Sequence, residues 1–231
     1  NVFDMVFGDL DHAIESSRRV HAIHSRIVGK LGQGHGSLGR AGESYQANEP
    51  SALFWVHATL VDSALLAYDT IVEPLSHEAK GSYYKESRKF ARLFGIPDHT
   101  MPANYDAFLD YMTDMIERLE VTPPAREMTG FLLSAQTLRP AALAPWLRTL
   151  TAGMMPKRLL EPFGLRFDKQ EAGRYERAMR SIRRLYALTP RRVRYMPAYN
   201  DAIRRLEGKS GRDPVGRAFE TLLQHVLNSG S

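Results

Sequence analysis

The sequence predicts an all-α protein. Apolar residues recur at helical spacing in nearly every segment, no run alternates apolar and polar residues as a half-buried strand would, and no hairpin dipeptide or fixed-period repeat is present. Residues 9–29 place Leu10, Ala13, Ile14, Val20, Ile23, Ile27 and Val28 on one stripe, with Gly29 as the stop. Residues 30–50 hold five glycines (Gly32, Gly34, Gly36, Gly39, Gly42) together with Asn48 and Pro50, which predicts a long, functionally interesting loop. A second helix over 51–72 is expected to carry Leu53, Val56, Leu60, Val61, Ala64, Leu65 and Tyr68 inward. Ser76 caps a third helix that runs to Phe94 and stops at Gly95-Ile96-Pro97. Further helices are expected over 104–119, 124–135 and 141–148, then over 168–188 with Asp168 as its cap, and finally over 198–207 and 214–228. The Pro and Gly clusters near 95–102 and 153–164 read as turns inside one domain spanning residues 1–231.

Composition narrows the chemistry. With 231 residues, 43% apolar and 25% charged, the chain can bury a core and is not a disordered polymer. It has no cysteine, which removes disulfides, zinc–thiolate sites, cysteine nucleophiles and a thiolate-ligated haem. Any metal must be held by nitrogen or oxygen, so the eight histidines carry the metal-binding potential. The apolar stretch from Ala52 to Val61, broken by His57, is too short to span a bilayer. No secretory signal is visible, and a cytoplasmic or membrane-peripheral protein is expected. The chain opens on Asn1 rather than Met, so upstream sequence is expected. Between Arg174 and Arg194 stand eight arginines against one acid, Glu176. That stripe suits a solvated helix face or an anionic membrane surface. No helix-turn-helix signature or aromatic interleaving points to nucleic acid.

Three histidines stand out. His21 and His24 lie three apart on the first predicted helix and share a face. His24 falls on the apolar stripe, four residues after Val20 and three before Ile27, and a ring there needs a partner for its nitrogens. His57 repeats the situation on the second helix. The plain alternative is that all three are core histidines bonded to backbone or to carboxylates such as Asp62. Without cysteine or Glu-x-x-His spacing, a closed zinc site or a di-iron site is poorly supported, whereas an iron carried by a porphyrin needs only one protein imidazole.

The residues around these histidines resemble the rubber-oxygenase catalytic-domain family. The resemblance rests on Val20-His21-Ala22-Ile23-His24-Ser25-Arg26-Ile27-Val28-Gly29, Tyr45-Gln46-Ala47-Asn48-Glu49-Pro50 and Trp55-Val56-His57-Ala58-Thr59-Leu60-Val61-Asp62-Ser63. It continues through Leu93-Phe94-Gly95-Ile96-Pro97, Thr151-Ala152-Gly153 with Pro156, Pro162-Phe163-Gly164-Leu165, and Pro197-Ala198-Tyr199 with Arg204-Arg205. It implies a helical fold with a globin-like core, haem b, and cleavage of carbon–carbon double bonds of isoprenoid chains by dioxygen. It also implies His24 as the proximal iron ligand and His21 and His57 near the haem; Arg19 and Arg26, close to His24 in sequence, are candidate partners of the propionates. The family's oxygen-activating residues lie upstream of the His helix, so their counterparts are expected before Asn1. Two other functions fit the residues: a helical protein that binds haem or lipid without turnover, and a membrane-surface interaction protein. No Gly-x-Ser-x-Gly elbow or P-loop supports a hydrolase.

Overall fold

A computed structural model describes residues 2–31, 42–134, 143–190 and 194–209, with isolated positions 211, 218 and 221. It is helical almost throughout, as expected, and its chain divides into two compact units, residues 1–118 and 119–231.

In the first unit, α1 (Val2–Phe7) packs on α2 (Leu10–His24), and both touch α4 (His77–Leu93). Asp9 starts α2 by accepting the His12 backbone N–H at 2.9 Å. Between α2 and α3 (Pro50–Ile71) the sequence shows no strand signal, yet β1 (Val28–Lys30) pairs antiparallel with β2 (Ser44–Gln46). Three-residue strands are too short to display alternation. The pairing also depends on a close approach: a Cβ at Gly29 would stand 2.7 Å from the Tyr45 hydroxyl. The predicted loop over 30–50 is therefore in part a hairpin, and its glycines from Gly32 to Gly39 lie outside the described residues.

Glu49 caps α3, with Pro50 in its first turn, and Ser76 caps α4 by accepting the Ala79 N–H at 3.1 Å. Gly95 ends α4 with φ of +80°, a conformation that favours glycine. A 3-10 turn (Asp98–Thr100) leads to α5 (Tyr105–Arg118). The core forms where Phe54, Ala58, Val61 and Leu65 of α3 meet Tyr84 and Ala91 of α4 and Tyr105, Phe108 and Met112 of α5. Tyr84, buried with its ring 4.7 Å from that of Phe108, satisfies its hydroxyl by donating to the Pro102 carbonyl at 2.8 Å. Lys80 and Asp69 form a half-buried ion pair across the α3–α4 turn, and Asp69 also accepts the Leu75 N–H. These bonds hold the Asp69 carboxyl below its usual range and raise Lys80. Among the described residues α3 alone is long and apolar enough to cross a membrane, although the unbroken apolar run within it is shorter than a bilayer needs. It is also the helix that supplies the core's central row.

The second unit contains α6 (Pro123–Leu132), α7 (Leu143–Met154), the short α8 (Lys157–Leu160), α9 (Lys169–Leu188) and α10 (Pro197–Leu206). Asp168 caps α9 as expected, accepting the N–H groups of Gln170 and Glu171 at 2.8 and 2.9 Å. A smaller core joins Leu133, Ala152 and Leu165, with Phe163 and Phe167 against it. The arginine stripe is not wholly free. Arg194 folds back to donate to the Thr189 carbonyl at 2.9 Å and lies 4.5 Å over the Tyr186 ring. Of the helix expected over 214–228 only positions 218 and 221 are described, and the arginines Arg191 and Arg192 lie outside the described residues.

Helices α7 and α9 approach closely at Gly153, where a Cβ would overlap the Tyr175 ring. In an open helix Gly→Ala stabilises by roughly 1 kcal/mol. Here the sign reverses: Gly153→Ala is expected to cost about 1–3 kcal/mol through overpacking. Urea unfolding measures it, and a more stable variant would show that Tyr175 swings aside freely.

Candidate functional site

Helix α3 presents Phe54, Ala58, Val61 and Leu65 to the core, and His57, one position before Ala58, falls at the edge of that same face. His57 is only 6% exposed, and its ring lies 6.2 Å from that of Phe54 and 6.1 Å from that of Phe90 on α4. Nothing hydrogen-bonds its buried Nε2, Asp62 included. Burial without a compensating charge pushes the imidazole pKa down to about 4. At neutral pH the ring is therefore uncharged, with an unspent nitrogen.

The ring lines a cavity of about 590 Å³ inside the first unit. Helix α1 contributes Met5 and Val6, α2 contributes Leu10, α3 adds Leu60 and Val61, and α4 closes it with Tyr83, Phe90 and Leu93. The Glu86–Lys89 ion pair, at 2.7 Å, is the charged part of the wall, and the rest is largely apolar. The mouth leaves apolar side chains in solvent: Leu10 is 70% and Leu60 60% exposed. Volume and lining match those of small-molecule sites in general. Apolar surface left open at a cavity mouth marks a place where something apolar docks.

The other predicted site residues lie elsewhere. Helix α2 ends at His24, with Ser25 as its C-cap, five residues before the expected stop at Gly29. Ile27 and Val28 therefore leave the helical stripe, and His24 sits half-buried in the last turn rather than in the core. It does not line the cavity, and its ring makes no hydrogen bond among the described residues. His21 is exposed, and its carbonyl accepts the Asn48 amide at 3.1 Å, which ties the end of α2 to the segment entering α3. Arg19 is exposed and paired with Glu15 at 2.8 Å, whereas Arg26 is exposed without a partner among the described residues. The structure thus sets His57 in the cavity and His24 at the far end of α2, beside the exposed Ile23, Ile27 and Val28. The cavity's walls from α1 and α4 escape the sequence reading. Their one signal is the 83–86–90–93 spacing, which puts Tyr83, Glu86, Phe90 and Leu93 on one face of α4.

A helical unit walling an apolar cavity with a neutral, unbonded imidazole is suited to an apolar ligand that also needs one nitrogen donor. The family described as "ER-bound oxygenase mpaB/B'/Rubber oxygenase, catalytic domain" matches residues 2–184, and the chain belongs to that family. Among curated proteins it is similar to an uncharacterized protein of Mycobacterium bovis and to one of Mycobacterium tuberculosis. Each is 22% identical over 153 residues, which cover 65% of this chain and 60% of the relative. The chain therefore spans about three fifths of the length of the curated relatives it matches. No solved structure matches it.

Proposed function

We propose that this chain is a haem b-dependent oxygenase that acts with dioxygen on a hydrophobic alkene or isoprenoid-type substrate. The observation that carries the proposal is the buried His57, its Nε2 unpartnered, on the wall of an apolar cavity in a member of an oxygenase family. An orphaned buried nitrogen is costly, and a protein retains one where a ligand completes it. The residues present fit a haem. A porphyrin iron asks one imidazole nitrogen of the protein, and the unbonded ring of His24 and the unpartnered Nε2 of His57 each offer one. His24, half-buried and unbonded, is the proposed iron ligand although it does not line that cavity; His57, in the cavity wall, and His21, three residues before His24, are the proposed supporting residues. Arg26 is better placed than Arg19 to meet a propionate, because Arg19 is already held by Glu15.

When bound, haem supplies the redox centre that lets ground-state dioxygen react with a closed-shell alkene. The chain's own contribution is binding and exclusion of water. Leu60, Val61, Phe90 and Leu93 provide an apolar wall for a hydrocarbon, and the uncharged His57 adds no charge to it. The test is an absorption spectrum of the protein reconstituted with haem, followed by oxygen uptake with polyisoprene, a carotenoid or a farnesylated compound. A Soret band with stoichiometric haem, and oxygen uptake that depends on the alkene, is the expected result. A protein that takes up no haem overturns the proposal. Bound haem with no uptake on any of these substrates would favour a non-catalytic haem- or lipid-binding protein.

A further inference from the structure

A second cavity, of about 360 Å³, lies wholly within the second unit. Three arginines reach it from three different elements: Arg148 from α7, Arg166 from the segment before α9, and Arg174 from α9. Two acids share the wall and keep their charge, so three arginines stand against two carboxylates. Asp168 accepts the N–H groups of Gln170 and Glu171. Glu171 accepts the hydroxyl of the buried Thr149 at 2.6 Å with one oxygen and Arg174 at 2.5 Å with the other. That leaves the guanidinium groups of Arg148 and Arg166 without a partner among the described residues. A fourth lies against Gly164. Gly164 lines the cavity with φ of +71°, and a Cβ there would stand 3.4 Å from Nε of Arg126 on α6.

We propose that this cavity binds a phosphate or diphosphate group, free or carried on a larger ligand. A carboxylate is satisfied by one guanidinium fork, whereas the terminal oxygens of a phosphate accept several forks from different directions, which is what arginines on three elements offer. The Thr149–Glu171–Arg174 chain fixes the third arginine and neutralises it in part. The cation excess is therefore aimed from Arg148 and Arg166, and affinity falls as salt rises. The site is separate from the haem proposal and does not depend on it.

The test uses the full chain, with inorganic pyrophosphate as the soluble probe and phosphatidylcholine vesicles doped with phosphatidic acid as the lipid-borne one. Saturable binding is expected, weakened about tenfold or more in the Arg148→Gln, Arg166→Gln double variant. Arg180→Gln, on α9 outside the cavity, leaves it unchanged. Arg148 and Arg166 are exposed, so the fold is expected to survive, and the Arg148→Lys, Arg166→Lys protein keeps the charge while losing the fork. It should fall between wild type and the Gln variant. Loss of pyrophosphate binding in the double variant identifies a soluble phosphate ligand, and the same pattern seen only with vesicles identifies a lipid headgroup. Either result supports the site. Absence of saturable binding to both probes, or equal weakening by Arg180→Gln, overturns it.

Discussion

His57→Leu is expected to make the ligand-free protein more stable at pH 7, and to widen that advantage as the solution is acidified. At neutral pH the wild-type ring carries a buried Nε2 without a partner, an arrangement that typically costs about 1–3 kcal/mol and that an apolar side chain of similar size removes. The pH dependence follows from the lowered pKa. The folded ring protonates only near pH 4, against an ordinary value of 6.5 in the unfolded chain. As pH falls through 6.5 the unfolded state gains a proton that the folded state refuses, so the wild type loses stability between about pH 6.5 and 4 and loses no more from this group below that. The loss amounts to about 2–3 kcal/mol, because each tenfold drop in proton affinity is worth about 1.4 kcal/mol and the open cavity mouth admits some water. Carboxylates such as Asp69 and Asp98 also respond to acid, but they are common to both proteins and cancel in the difference. Urea unfolding at several pH values reads the gap. A variant that tracks wild type from pH 7 to 4 would show that the ring is solvated or bonded after all. A stabilised variant that still takes up haem, but with weakened affinity, would tie the strain at His57 to function.

The helix ends that were legible in the sequence are those set by local chemistry. Ser76 and Asp168 sit where an oxygen can take the N–H groups of the first turn, and Gly95 sits where a positive φ is needed. What sequence could not resolve was rotation. Helix α3 is apolar on most of its circumference, and by sequence Val56 and Leu60 are as fit for the core as Phe54 and Ala58. The choice is made by Tyr84 and Phe108, which pack from other helices, and it leaves Val56 58% exposed and Leu60 at the cavity mouth. A different cause displaced His24. Ile27 and Val28 extend the stripe on paper, but the chain leaves the helix at Ser25 to form β1, so the stripe ends and the ring moves toward solvent. His57 was legible as an interior imidazole because its own helix buries it. The cavity beside it was not, because its other walls come from residues 5–10 and 83–93.

His24→Ala is expected to abolish stoichiometric haem binding and the Soret band, and His57→Ala to leave stoichiometry near wild type while weakening affinity. The contrast follows from the two environments. His24 closes α2, at the negative end of the helix dipole, which favours a cationic metal. Its ring is half open and unbonded, so an incoming macrocycle need not displace a protein partner, and the exposed Ile23, Ile27 and Val28 offer an apolar surface nearby in the chain. A supporting residue typically costs about 10–100-fold in affinity when removed, so a larger loss at His24 than at His57 assigns the ligand. Added imidazole should restore the Soret band to the His24→Ala protein, which a merely structural role would not allow. The reverse pattern, with haem lost in His57→Ala and kept in His24→Ala, would move the iron into the cavity on α3, where a neutral, buried and unpartnered nitrogen stands ready.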